Sequence, residues 1–230
     1  MRPQSLLAAF VALALPLAGG AAAAPRYTVA AAIAGPDGPW DYARTDDEGT
    51  HLYIARGTNV TVVDLATRKV SSIGNVQRGH AALPLPGGAL LVTSGTDGTV
   101  RLLDPVSGTE TATIAVGKKP DAAILDPAKT HAYVMNATSG TVSVIDLATA
   151  KLTKTIAVKP ALEYAAFSAD GTLFINNEDA NEIETVDVAR GVAGSPIPLL
   201  GCDAPTGLAY DKPHNRLIAA CANGKAAVVD

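Results

Sequence analysis

Aromatic side chains are scarce in this 230-residue chain, where one Trp, six Tyr and three Phe amount to 4%. A core built on rings is excluded, so Val, Ile, Leu and Ala must do the packing. Cysteine is almost absent. The two present form neither a CxxC nor a CxxCH pattern, which leaves no thioredoxin-type redox motif, no attached c-type haem and no paired-thiolate zinc site. Excess positive charge is missing too. Eighteen Lys and Arg stand against 22 Asp and Glu, for a formal net charge of -4, without the clustered basic stripe that nucleic-acid binding needs, so no nucleic-acid partner is expected. Charged residues total only 17% against 48% hydrophobic, which argues against a disordered polymer, and 21 Gly with 15 Pro fall far short of collagen. A chain of this length buries roughly 70% of its extended surface on folding and needs no metal or disulfide to do so.

Only one long apolar run exists, and it stands at the start. Arg2 is the only charge before Arg26, and between them lie LLAAFVALALPLA (Leu6–Ala18) and GGAAAAP (Gly19–Pro25). A basic beginning, about a dozen apolar residues and a small-residue exit are the parts of a secretory signal peptide, expected over residues 1–23 with Ala24 as the first mature residue. The alternative is an uncleaved anchor, which Pro16, Gly19 and Gly20 interrupt. Export to the periplasm or the exterior follows, with no membrane span in the mature chain. An oxidising compartment permits a disulfide, and Cys202 with Cys221 is the only possible intramolecular pair.

A repeat organises residues 27–230. Apolar triplets ending in Asp recur as VVD at Asp64, LLD at Asp104, VID at Asp146, TVD at Asp187 and VVD at Asp230, a period near 41. At that period four-stranded propeller blades lead, because the apolar segments (LYIA, ALLV, AYV, LFI, RLIAA) are short, β-rich and separated by Gly, Asp, Asn and Pro. The fold class is therefore all-β, a β-propeller of four-stranded antiparallel blades with five legible. YTVAAAIAG (Tyr27–Gly35) has the pattern of a fourth strand without its preceding three, and a fourth strand is missing after Asp230, so an N-terminal strand completing the last blade is expected to close the ring.

HAYVMNATSGTVSVIDLATAKLTKTIAV (His131–Val158) and LYIARGTNVTVVDLATRKV (Leu52–Val70) resemble the YVTN repeat of β-propellers. GPWDY, RGHAAL, KKPDA, INNEDANEIETVD and CDAPTGLAYD look like successive blades of exported YncE-like proteins. The resemblance implies a ring that usually has seven blades, so the chain is either truncated or a smaller ring.

Blade geometry puts the start of each first strand and the loop after each second strand at one end, near the central channel. Between 23 and 25 residues before the repeat Asp stand Asp41, His80, Asp121, Glu163 and Thr206, expected as a ring around the channel mouth. Trp40, Arg56, Asn136, Asn176, Asn177, Glu178, Asp179 and Asn223 are expected on the adjoining rim. Converging carboxylates suit a cationic or polyhydroxylated ligand, or a hard cation such as calcium (Ca) held by Asp121 and Glu163; a water-filled polar funnel is the plain alternative. The repeat Asp residues are expected to cap turns, and His51, His131 and His214 to lie in turns at the opposite end. The function expected is an exported, monomeric binding or interaction scaffold that offers the polar mouth to a small molecule or protein partner, with no enzymatic activity asserted. Two alternatives remain: a calcium-dependent lactonase-type hydrolase using Glu163, Asp121 and Asn136, and a propeller partner of a periplasmic dehydrogenase.

Overall fold

Short β-rich runs alternate with Asp- and Gly-bearing turns, and each group of runs folds back on itself as a meander. In the computed structural model, which describes residues 28–230, Ala34–Asp230 form one unit. The signal peptide expected over residues 1–23 lies outside the described residues.

The first sheet contains β1 (Ala43–Thr45), β2 (His51–Ala55), β3 (Val60–Asp64) and β4 (Val70–Ile73). The second contains β5 (Ala82–Pro84), β6 (Leu90–Ser94), β7 (Thr99–Leu103) and β8 (Glu110–Ala115), and the third β9 (Pro120–Leu125), β10 (His131–Asn136), β11 (Thr141–Asp146) and β12 (Lys151–Ala157). In the fourth, β13 (Leu162–Phe167), β14 (Thr172–Asn177) and β15 (Glu182–Asp187) carry an outer strand split into β16 (Val192–Ala193) and β17 (Ile197–Pro198). The fifth has three strands, β18 (Pro205–Asp211), β19 (Arg216–Cys221) and β20 (Ala226–Val229). All pairings are antiparallel and, apart from β15 with β17, join chain neighbours, the pattern of five successive propeller blades.

One expectation is corrected. Thr28–Gly35 forms no strand, and its described residues are exposed. Three consecutive alanines (Ala30–Ala32) give little side-chain area to bury and low strand propensity, and Pro36 follows at once, so the apolar pattern alone does not make a strand.

The core lies between successive sheets. Tyr53, Val60, Val62 and Ile73 meet Ala82, Leu90, Val92 and Leu103 between the first two. Leu83, Leu91, Val100 and Ile114 meet Ala123, Ala132, Val134 and Ile145 between the second and third. The opposite face of the third sheet (Ile124, Tyr133, Met135, Val142, Val144) packs on Leu162, Ala165, Leu173 and Ile175 of the fourth. Each fully buried Leu or Ile is worth about 1.5–3 kcal/mol of transfer free energy, so these layers, rather than any polar contact, hold the blades together.

The repeated aspartates stay outside this chemistry. Asp64 accepts the N–H groups of Ala66 and Thr67 at 3.0 and 2.8 Å, Asp104 those of Val106 and Ser107 at 3.0 and 2.7 Å, and Asp146 and Asp187 those of Thr149 and Arg190. They cap turns, as expected. His51, His131 and His214 likewise sit beside turn carboxylates, Asp46, Asp126 and Asp211.

Candidate functional site at the blade openings

The later blades open through two recurring devices, a left-handed residue in the second to fifth and a slip in register in the third to fifth. The residue two positions before the expected ring residue has a left-handed backbone, with φ of 58° at Arg78, 51° at Lys119, 66° at Ala161 and 44° at Ala204. Non-glycine residues seldom adopt this conformation, so a repeated constraint must hold it. Their carbonyls supply one: each accepts the N–H just past the second strand, from Gly95, Ala137, Glu178 and Ala222. The second device is a slip in register. In the third sheet Asp121 and Ala122 stand opposite Met135 alone; in the fourth Glu163 and Tyr164 stand opposite Asn176; in the fifth Thr206 is the extra residue. A bulge of this kind re-aims a side chain out of the ladder.

The consequence is a shared polar cluster. His80 Nδ1 lies 2.8 Å from Asp41 Oδ2 and 3.7 Å from Asp121 Oδ1, and Lys119 Nζ lies 3.1 Å from Asp121 Oδ2. Tyr42 donates its hydroxyl to Glu163 Oε2 at 2.5 Å, bringing the first and fourth blades into contact. Below it, Arg44 donates to the Tyr164 hydroxyl at 3.1 Å and the Tyr42 and Tyr164 rings sit 5.0 Å apart. Ring residues from four blades are thus neighbours, as their register requires.

Burial sets the protonation of this cluster. It pushes the Glu163 carboxyl up to about 7, helped by the Asp121 charge and opposed by the Tyr42 hydrogen bond. Burial also raises Asp121, against the pull of His80 and Lys119, and raises the Tyr42 phenol, where Glu163 adds to the effect. The hydrogen bond to Asp41 raises His80 despite the cost of burial. His80 Nε2 is buried without a hydrogen-bond partner.

The rim residues divide differently. Trp40 is exposed, and the Arg56 guanidinium sits 3.9 Å from its ring centroid. Arg56 itself is buried and donates to the carbonyls of Pro36, Asp37 and Pro39 and to the Thr61 hydroxyl. Asn136 accepts the Gly117 N–H at 3.1 Å and donates to Thr141 and Ser143, both at 3.0 Å. Asn177 donates to Pro160 O and to Glu184. Ser94 accepts from the Gln77 N–H. Each ties the incoming linker of its blade to the end of its second strand or to the strand beyond. Asn176 donates to Gly207 O, joining the fourth and fifth sheets. These side chains are committed to the frame; Asp41, His80, Asp121 and Glu163 form the chemical cluster.

In the fifth blade the same location holds sulfur. Pro205 pairs with Cys221 as Pro120 pairs with Asn136, and Cys221 bonds Cys202 in the linker, with Cα atoms 5.3 Å apart. The disulfide is the covalent form of the tie made elsewhere by hydrogen bonds. Sequence reasoning missed the tie because Arg56, Ser94, Asn136, Asn177 and Cys221 share no chemistry. It also missed Tyr42 and Lys119, whose only signal was adjacency to Asp41 and Asp121.

Among the described residues, no group of three or more His, Cys, Asp or Glu is arranged to hold a metal ion. Asp121 and Glu163 have separate partners, Lys119 with His80 and Tyr42. No described helix is long and apolar enough to cross a membrane.

No curated protein matches this sequence. Among solved structures, hydrazine synthase of Kuenenia stuttgartiensis superposes with a TM-score of 0.70 at 20% identity, over 84% of this chain and 59% of that one. That likeness concerns the fold, and the chain spans about three-fifths of the protein it matches. The family model of YNCE-like β-propellers matches residues 81–201, more than half of the sequence and running from the second blade into the linker before the fifth. With the blades, their openings and this match in hand, the chain belongs to the YNCE-like β-propeller family.

Proposed function

We propose that this chain is an exported binding scaffold whose polar mouth receives a cationic group of a small molecule or protein partner. The observation that carries the reading is the convergence of Asp41, His80, Asp121 and Glu163 from four consecutive blades, with the exposed Trp40 next to Asp41. Carboxylates held at the edge of a partly buried cluster attract a cation more strongly than the same charges in open water. An aromatic neighbour adds a surface for its apolar stem. Export is supported by the Cys202–Cys221 disulfide, a bond that persists in oxidising compartments, and by the basic, apolar and small-residue parts of residues 1–23.

Trp40 is the only tryptophan and reports on the mouth directly. Titration with tetralysine at pH 8 should change its fluorescence saturably, while tetraglutamate leaves it unchanged. The response should weaken as pH falls through about 7, where Glu163 takes up a proton and loses its charge. The double variant Asp41→Asn, Glu163→Gln should lose most of it. Equal responses to the two peptides, or an unaltered response in the double variant, overturn the reading.

A further inference from the structure

The geometry points to a second site of opposite sign. We propose that the cleft between the upper loops of the second and third blades binds a small dianionic oxyanion of the phosphate type. This cleft has a cavity of about 460 Å³ lined by Arg78, Gly95, Thr96, Asp97, Gly98, Lys118, Lys119 and Thr138. Three cations and one carboxylate line it, in a chain whose net charge is -4. The single acid is already engaged, since Asp97 Oδ2 lies 2.7 Å from Arg101 Nη2 on its own blade, and of the cations Lys119 is shared with Asp121 at 3.1 Å. A local positive field in an otherwise acidic molecule is what concentrates a small anion.

The placement of these cations follows from the blade register. Arg78 and Lys119 are equivalent residues of adjacent blades, both in the left-handed conformation described above. The same bend recurs at Ala161 and Ala204, so it belongs to the frame of the blades, and here it delivers two cations to one cleft. The hydroxyls of Thr96 and Thr138 add neutral hydrogen-bonding groups on either side.

An independent observation lies in the wall of the cleft. The buried, unpartnered Nε2 of His80 sits behind Gly95, so that a Cβ placed on Gly95 would come within 3.4 Å of it and within 2.8 Å of the Arg78 carbonyl. Glycine there leaves only backbone between the cleft and an imidazole whose other nitrogen is taken by Asp41. The facing groups are Asp41 and Asp121 on the channel side, Lys119 between the two regions, and Arg78 and Lys118 on the cleft side. A protonated His80 therefore adds positive charge behind the Gly95 wall of the cleft, acting through its field rather than by a direct hydrogen bond to the anion. The cleft borders the polar cluster of the proposed mouth through Lys119 and His80, while Arg78, Lys118, Thr96 and Thr138 belong to the cleft alone.

Calorimetry with inorganic phosphate on the full chain at low ionic strength and pH 7 tests the site. Saturable uptake with a 1:1 ratio is expected, sulfate competing and chloride at matched ionic strength failing to do so. Arg78→Asn with Lys118→Gln should weaken phosphate binding about tenfold or more. Asn suits the left-handed backbone at position 78, so this pair should fold. Thr138→Glu, on an exposed loop, should weaken binding similarly by repulsion, whereas Lys151→Gln on the outer strand β12 should not. If phosphate uptake is absent, is matched by chloride, or survives both cleft variants, the proposal is wrong.

Discussion

The third and fifth blades carry the same repeat and the same pairing register, yet their middle strands are buried differently. In β10, Ala132, Tyr133, Val134, Met135 and Asn136 are all buried, since one face meets the second blade and the other the fourth. In β19 burial alternates. Leu217, Ala219 and Cys221 pack on the fourth blade while Arg216, Ile218 and Ala220 are exposed. What a strand buries is decided by its neighbours as much as by its own apolar residues, and RLIAAC reads as apolar as HAYVMN although only one of its faces is covered.

Equivalent substitutions on the two strands should separate these environments. Tyr133 and Ile218 share a register position, the former with its ring 5.0 Å from Phe167 in an edge-on contact. Tyr133→Ala should cost about 4 kcal/mol in urea unfolding, as large aromatic deletions in cores do. Ile218→Ala should cost less than about 1 kcal/mol. Similar losses at both positions would break the comparison.

The ties at the blade openings come next in size. Loss of the Cys202–Cys221 bond, which spans 19 residues of sequence, should lower stability by about 3 kcal/mol, seen by comparing Cys221→Ser with the parent under non-reducing conditions. The hydrogen-bonded counterpart, Asn136→Ala, leaves the Gly117 N–H and two hydroxyls without their partner and should cost about 2 kcal/mol. A larger penalty at Asn136 than at Cys221 would mean that the covalent bond adds nothing to the tie.

The smallest effect is expected with pH. Glu163, Asp121 and His80 all hold their protons more tightly folded than unfolded, so the native state binds more protons and stability falls as pH rises. For Glu163 the window runs from the ordinary carboxylate range to about 7; for His80 the stabilising contribution is complete below its unfolded value near 6.5 and is lost as pH climbs through its raised one. Thermal midpoints should therefore drop by a few degrees between pH 5 and pH 8, and Glu163→Gln should flatten that slope. A rise across the same range removes the cluster as its source.

The blades were legible because Asp64, Asp104, Asp146 and Asp187 mark a local event, the capped turn after the third strand, and local events leave local signatures. Counting back from them also picked out Asp41, His80, Asp121 and Glu163, which cluster because a fixed repeat length puts equivalent positions at the same end of successive blades. The roles of Arg56, Asn136 and Asn177 were not legible. Whether an Asn faces water or a linker carbonyl depends on a bulge and on a left-handed residue some 17 positions away, neither of which has a composition of its own. Thr28–Gly35 misled for the opposite reason: its apolar run is real, but a run built mostly of alanine lacks the bulk to secure a strand.

Gly117 and Asn136 stand 19 residues apart, as Cys202 and Cys221 do, and occupy the same places in their blade. A Cβ on Gly117 would approach that of Asn136 to 2.7 Å, so the amide occupies room that a second side chain would need. The two pairs are alternative fillings of one socket, and Gly117→Cys joined with Asn136→Cys offers a way to graft a staple from one blade onto another.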